Sequence, residues 1–421
     1  MRLSHIGWNL VGLSLPLAIA AVTVPGLLGK LGSERFGLLA LAWGLIGYAS
    51  ALDLGIGRAL TQMVARLRGE GEVSSIPDVL ATAERITLAA GLVGGALITL
   101  AALLGAGALT GAKTTSPGEV TGAMLLLAIA LPAQAMSATY RGVNEAYLNF
   151  KGISLLRVVL GVVNFGGPYL VAIYTARLPW MVSTLVISRL LALFVFHKLA
   201  LDCFKSSPII VNKGRYSRSI ARSLFAFGGW VTVSSVVSPV LMQADRFMIA
   251  SVISAAAVTV YVLPYEVVVQ SLILVGAISS VIFPNLSWLM RENPGEWRPY
   301  FYRWLFIVMG LMLLACAALA AILPVLLPLW IKHNLPPQSV TVGQILCVGV
   351  FANAIGSMFY ALIHAQGRSD LTAKLHIIEL PIFLVLLYVL LGEFGIVGAA
   401  WAWVGRMAVD AVALTFIGRR Q

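Results

Sequence analysis

The residues most able to do chemistry in this sequence are charges set in apolar text. Asp53 and Arg58 bracket Leu54-Gly55-Ile56-Gly57 near the end of a long apolar run, 36–64. Arg189 interrupts MVSTLVISRLLALFVF, and Glu379 precedes Pro381 in another run. Glu266 follows Tyr261-x-x-Pro264-Tyr265 and lies about 18 Å into its run at 1.5 Å per residue. Arg406 and Asp410 stand four apart on one helical face, and Asp245-Arg246 ends a further run. A charge at the centre of a membrane helix costs about 2.5–3.5 kcal/mol on insertion scales, so such residues mark interhelical pairs or sites. Two chemistries are on offer. An arginine fork matches phosphate oxygens bidentately. A buried carboxylate is accommodated once H⁺ or Na⁺ neutralises it.

Each residue has a plain reading beside its functional one. Asp53 and Arg58 are five apart, about 140° round a helix, so they do not form an i,i+4 pair. They either dock their helix through a partner or face water or an anionic ligand, and the glycines between them can loosen the helix. Arg85, Arg141, Arg157 and Arg303 lie nearer the inner ends of their runs, where snorkelling to headgroups is the plain reading. The alternative is that Arg58, supported by Arg85 and Arg141, captures an anion at the cytoplasmic mouth of a cavity. Arg189 and Glu266 are too deep to snorkel. Arg406 and Asp410 are either an internal salt bridge or part of a site, and Pro264 should distort the helix that carries Glu266. Arg58, Arg85, Arg141, Arg189, Arg246, Arg406, Asp53 and Glu266 thus form the candidate cavity set, and Asp245, Glu379 and Asp410 the candidate cation-coupling set.

The elements that hold these charges follow from composition. Of 421 residues 59% are hydrophobic and 11% charged, with a mean hydropathy of +0.92. A soluble chain carries about 25% charged residues, so this is a polytopic membrane protein. Hydrophobic windows place twelve spans near 7–28, 36–64, 80–105, 119–140, 150–174, 180–199, 222–249, 254–286, 301–329, 340–364, 370–391 and 395–417. The net charge of +12 does not form a nucleic-acid patch, because the basic residues alternate with the spans as loop charges do. With the N terminus inside, all lysines and arginines except Lys30, Arg35, Lys113, Arg177, Arg246 and Lys332 fall on or near inner loops. Both termini are therefore expected in the cytoplasm. The first run reads as a retained helix rather than a signal peptide, since it carries Pro16 and Pro25 and meets no small-x-small cleavage site.

The longest inner segment, 201–221, carries Lys205, Lys213, Arg215 and Arg218 and divides the chain. The expected organisation is a lobe at 1–200, a cytoplasmic linker at 201–221 and a second lobe at 222–421. The linker reads as a solvated positive-inside segment, with contact to anionic headgroups as the alternative. Gly7-Trp8 and Ser14-x-Pro16 recur as Gly229-Trp230 and Ser238-Pro239. Six spans per half start both halves on the same side, which predicts parallel repeats enclosing a cavity.

Absences narrow the function. There is no GxxxxGK[ST], since Gly107 to Thr114 has the wrong spacing and lies outside. No HExxH, DxD or G-x-S-x-G context occurs. Cys203, Cys316 and Cys347 have no metal or disulfide spacing. No cofactor and no enzyme is expected. Transport then needs an ion gradient, consumption of product outside, or both.

The run Leu31-Gly32-Ser33-Glu34-Arg35-Phe36-Gly37 followed by Asp53-Leu54-Gly55-Ile56-Gly57-Arg58-Ala59 resembles the start of Wzx-type oligosaccharide-lipid flippases. Ala244-Asp245-Arg246-Phe247, Tyr261-x-x-Pro264-Tyr265-Glu266, Phe283-Pro284-x-Leu286-Ser287, His376-x-x-Glu379-Leu380-Pro381 and Gly395-Ile396-x-Gly398-Ala399-Ala400 with Arg406 continue the likeness in order. The resemblance implies the multidrug/oligosaccharidyl-lipid/polysaccharide (MOP) exporter superfamily: an all-α polytopic membrane protein of twelve transmembrane helices in two six-helix lobes, V-shaped around a central cavity. It implies movement of undecaprenyl-diphosphate-linked oligosaccharide across the bacterial inner membrane for O-antigen or exopolysaccharide synthesis. Membrane lipids and the polysaccharide polymerase machinery are the candidate partners, and nucleic acid is not. H⁺ or Na⁺ coupling through second-lobe carboxylates is the expected energy input. A multidrug exporter of the same superfamily would favour an acidic cavity for cationic drugs. A lipid II exporter usually has more than twelve spans, and a polymerase or ligase a large outer loop.

Overall fold

The computed structural model describes residues 3–48, 53–205, 214–293, 295–331, 335–366 and 368–420. Residues 206–213 of the linker and Lys332 lie outside the described residues, as do the side chains of Gly7, Trp8, Gly229, Trp230, Ser238 and Pro239. The described chain is helical throughout: α1 (Leu3–Tyr48), α2 (Ile56–Glu70), α3 (Ile76–Leu103), α4 (Pro117–Ala146), α5 (Phe150–Tyr174), α6 (Leu178–Lys205), α7 (Arg218–Val252), α8 (Ala255–Val269), α9 (Leu272–Glu292), α10 (Trp297–Ile331), α11 (Gln338–Ala365) and α12 (Ser369–Arg420).

Among the described residues, nine helical stretches are long and apolar enough to cross a membrane. The longest, Asp370–Arg419, has 50 residues. At 1.5 Å per residue that is about 75 Å, far more than the ~30 Å of a hydrocarbon core. It is two crossings, divided at Gly395 (φ 59°). The 33-residue stretch Leu15–Gly47 is likewise divided at Gly32, whose φ of 71° and ψ of 169° no helix contains. α2 continues the second crossing of α1, and α9 continues α8, while α7 adds 35 residues of helix. Counted this way the chain makes the twelve crossings that the hydrophobic windows predict. Pro264 stays inside α8, and the interruption comes later, at Gln270 and Ser271. The helix absorbs the proline, contrary to the expected distortion.

Cα packing divides the chain into two compact units, Met1–Pro239 and Val240–Gln421, with the division inside α7. In the first unit α4 is the central helix, packed on α3, α6 and α2. Its buried face is mostly small: Ala123, Ala128, Ala130, Ala133, Ala135 and Ala138. Facing it on α3 is Gly91-x-x-x-Gly95. A Cβ on Gly91 would lie 2.5 Å from Pro132 Cα, and one on Gly95 2.8 Å from Ala128 O. Such close backbone approach is how helices associate where lipid supplies no hydrophobic drive. The buried hydroxyls of Thr87 and Thr139 add a hydrogen bond at 2.9 Å across the same pair.

Beyond α3 the loop at 104–116 is tied to α1 by one carboxylate. Glu34 accepts from the backbone N–H groups of Lys113 (2.8 Å), Thr114 (2.9 Å) and Thr115 (2.7 Å) and from the Thr114 hydroxyl. Beside it, Arg35 donates to both oxygens of Glu119 at 3.0 and 3.2 Å, and Glu119 also accepts from Leu178 N–H. The Ser-Glu-Arg text therefore fixes α1, α4, α6 and the 104–116 loop together.

In the second unit α11 is central, packed on α12, α10, α8 and α9. Gly349 leaves room for the ring of Trp403, and Gly356 sits against Ala411 and the Asp410 carboxylate. These two glycines decide how closely α11 and α12 approach, and so what α12 presents to α11.

Candidate functional site

The Asp53 motif is a helix start inside the membrane segment. Leu54 (φ 53°) and Gly55 (φ 72°) are both left-handed, which ends one helix direction and begins α2. A left-handed non-glycine residue costs of order 1 kcal/mol or more, and Asp53 offsets it as the turn's acceptor. Its Oδ1 accepts from Gly55 N–H at 2.9 Å, and the side chain is buried. The carboxylate also sits where the α2 dipole is positive. Gly57 and Gly142 then press α2 against α4: a Cβ on Gly142 would lie 2.5 Å from Gly57 O. Thr61 stitches the contact by donating within reach of Gly57 O (2.9 Å) and Gly142 O (3.1 Å). Asp53 is thus the acceptor of the turn that leads into α2, and Arg58 is exposed on α2.

Beside Gly142 on α4, Ala138 and Arg141 line a cavity of about 320 Å³ inside the first unit. Its wall is drawn at helical spacing from four helices. α1 supplies Trp43 and Gly47, α4 Gln134, Ser137 and Arg141, α5 Arg157, Leu160 and Asn164, and α6 Arg189, Ala192 and Phe196. Three arginines line it, and no acidic side chain does so among the described residues. Trp43 donates to Asn164 O at 3.0 Å and packs its ring against Phe165 at a tilt of 57°, which fixes α1 on α5. The Asn164 side chain in turn accepts from Arg189 Nη2 at 3.2 Å, while the buried Nε of Arg189 meets no acceptor. Arg141 has its carboxylate partner Glu145 on its own helix at 3.7 Å. The arrangement suits an anion with several oxygens, since each fork can serve two of them.

The expected trio at the cytoplasmic mouth is not what assembles. Arg141 joins Arg189, not Arg58 and Arg85. Arg85 lies over the Tyr216 ring at 5.7 Å. Arg157 takes their place, a residue the sequence assigns to snorkelling. The signal for it was the polar stripe Arg157, Gly161, Asn164 at i, i+4, i+7.

In the second unit the other candidates fall into two groups. Asp245 is 1% exposed and accepts from Tyr261 O–H and Arg246 N–H, both at 2.8 Å. Arg246 pairs with Glu266 at 2.8 Å and lies over the Tyr265 ring at 5.0 Å. Asp245, Arg246 and Glu266 therefore share one network that joins α7 to α8. Arg406 does not pair with Asp410 as an i,i+4 salt bridge. It reaches across to Leu241 O at 3.0 Å on α7 and over the Phe383 ring. Asp410 turns instead towards α12's own first half, with His376 Nε2 at 3.9 Å. His376, Glu379 and Asp410 place one ligand atom each within 4.8 Å of one another. Glu379 is 4% exposed, and no nitrogen or hydroxyl donor reaches either of its oxygens. Two carboxylates this close and this dry favour a bound cation or a shared proton. Sequence reasoning quoted His376 only within the motif His376-x-x-Glu379 and gave it no role in a site, although the i,i+3 spacing puts both on one face.

Comparison with known proteins decides the family. A family model described as "Polysaccharide biosynthesis protein" matches residues 31–334, well over half of the chain. The chain belongs to the polysaccharide biosynthesis protein family. Among curated relatives of this family member, a putative O-antigen transporter of Shigella flexneri is 28% identical over 98% of the chain and 96% of its own length. The lipopolysaccharide biosynthesis protein WzxC of Escherichia coli (strain K12) is 26% identical over 39% of the chain and 33% of its own. Among solved structures, the inward-facing conformation of a multidrug resistance MATE family transporter of the MOP superfamily superposes with a TM-score of 0.77 at 16% identity. It covers 98% of this chain and 97% of that one. A Vibrio cholerae MATE transporter in its bent form gives 0.56 at 19% identity, covering 97% of each chain. The fold of this polysaccharide biosynthesis protein is that of the MOP superfamily, and the Wzx-type resemblance of its motifs is borne out.

Proposed function

We propose that this family member flips an undecaprenyl-diphosphate-linked oligosaccharide from the cytoplasmic to the outer leaflet of the bacterial inner membrane. It does so by alternating access, for O-antigen or exopolysaccharide assembly, with both termini in the cytoplasm. The observation that carries this reading is the cavity of Arg141, Arg157 and Arg189, with no acidic side chain lining it among the described residues. A diphosphate needs such a cationic, wet place within the membrane, whereas a cationic drug would be repelled from it. The polyprenyl tail can stay in lipid while the charged head travels.

Alternating access needs a ligand that binds the two states unequally. His376, Glu379 and Asp410 are the group that would take H⁺ or Na⁺, with Asp245 held in its tyrosine network as the further candidate. The chain acts as a transporter, with its energy drawn from that gradient, from polymerisation outside, or from both.

The test is genetic complementation in a strain lacking its own flippase. Wild-type protein restores surface glycan, and a variant with Arg141, Arg157 and Arg189 all changed to alanine, present at equal level, does not. Restoration by that variant would remove the diphosphate from the first unit's cavity.

A further inference from the structure

A second cavity, of about 310 Å³, opens in the second unit between the start of α10 and the ends of α11 and α12. Its floor is apolar: Phe301 is 1% exposed, packed edge-on against Phe359 at 5.2 Å, and Leu362 is 2% exposed. Its rim is cationic and aromatic, with Arg298 and Arg419 exposed and Trp297 and Tyr302 half-buried. No carboxylate lines it among the described residues. Gly418 is what brings the second arginine there. A Cβ on it would lie 2.9 Å from Phe359 Cδ1, so the bare backbone lets the end of α12 close on α11.

Two features say what kind of ligand fits. Tryptophan, tyrosine and arginine together at helix ends are the composition of a membrane–water interface. The lysine and arginine bias assigns this end to the cytoplasm. From the rim, both helices continue with exposed apolar side chains. Phe306 (67% exposed) stands one turn beyond Tyr302, and Phe416 (56%) and Val412 (70%) stand one and two turns before Arg419. A head with negative charge and two hydrocarbon tails matches a cationic cup with two apolar tracks leading from it.

We propose that this cavity is a headgroup site for an anionic phospholipid of the cytoplasmic leaflet, with Arg298 and Arg419 holding the phosphate. The stacking of Arg298 over the Trp297 ring at 5.3 Å orders one fork in advance. A lipid bound here would link α10, α11 and α12 at one end of the unit.

The test uses full-length protein in detergent, with native mass spectrometry reading bound lipid during titration with phosphatidylglycerol, phosphatidylcholine or inorganic phosphate. Each arginine near an anionic surface supports binding by roughly fivefold. Arg298→Ala and Arg419→Ala should each weaken phosphatidylglycerol binding by about that factor, and the double variant by about 25-fold. The double lysine variant keeps the charge and should recover binding to within a few-fold. Phosphatidylcholine should bind more weakly and ignore the substitutions. Arg66→Ala, an exposed arginine paired with Glu70 on α2, should leave the titration unchanged. Superposable phosphatidylglycerol titrations for wild type and the double alanine variant would overturn the proposal. So would an equal loss in Arg66→Ala, or binding of inorganic phosphate with this arginine dependence in place of the lipid.

Discussion

Replacing Arg189 separates a binding role from a structural one, because the two predict opposite changes. The guanidinium is anchored on Asn164 Oδ1 at 3.2 Å, and its buried Nε meets no acceptor among the described residues. A unit charge about 4 Å from a phosphate oxygen is worth about 1 kcal/mol in water and about 4 kcal/mol at an effective dielectric of 20. The loss in substrate affinity for Arg189→Ala then falls between about fivefold and about a thousandfold, and an open, wet cavity sits toward the lower end, roughly tenfold. Membrane insertion moves the other way, since removing a mid-span arginine relieves about 2.5–3.5 kcal/mol on insertion scales. The variant should therefore be at least as abundant as wild type while its half-saturating substrate concentration rises. Arg189→Lys should fall between, keeping the charge but not the fork. Asn164→Ala, which frees the arginine without removing it, should lose less than Arg189→Ala. The assay is flipping of labelled lipid-linked oligosaccharide across a substrate titration, with protein level measured in parallel. Unchanged half-saturation in Arg189→Ala, or loss explained by protein level alone, would refute the reasoning.

Glu34→Ala leaves three backbone N–H groups of the 104–116 loop without their acceptor; at about 1 kcal/mol per bond it should lower the Tm by several degrees and open residues 113–115 to protease. Gly142→Ala should lower stability sharply because its Cβ meets Gly57 O at 2.5 Å, whereas Gly276→Ala, with nothing within 4 Å, should be neutral in the same thermal-shift measurement. Glu379→Gln with Asp410→Asn should make flipping indifferent to imposed H⁺ and Na⁺ gradients, while substrate half-saturation stays within about twofold; a retained gradient response would take the coupling away from this cluster.

Much of this was legible in the sequence because it follows from one helix at a time. Hydrophobic length gave twelve crossings, and the glycines after Asp53 pointed to a loosened helix. What they could not give was the left-handed pair Leu54-Gly55, with Asp53 accepting from Gly55 N–H. Partners across helices were less legible. Arg406 and Asp410 share a face, yet Arg406 finds a carbonyl on α7 and Asp410 finds His376, choices made by how α11 and α12 close at Gly349 and Gly356. Arg157 looked like a snorkelling residue because its depth along α5 was visible and the facing Arg189 was not. Pro264 failed as a signal for the same reason: the packing around α8 keeps the helix going, and the interruption falls six residues later.

The most direct test of the central claim is flipping by purified protein in proteoliposomes loaded with labelled undecaprenyl-diphosphate-linked oligosaccharide. Wild type should move the label between leaflets, and the variant lacking Arg141, Arg157 and Arg189 should match protein-free liposomes. A wild-type protein that leaves the label in place while moving a cationic dye, or a triple variant that flips at the wild-type rate, would contradict the account.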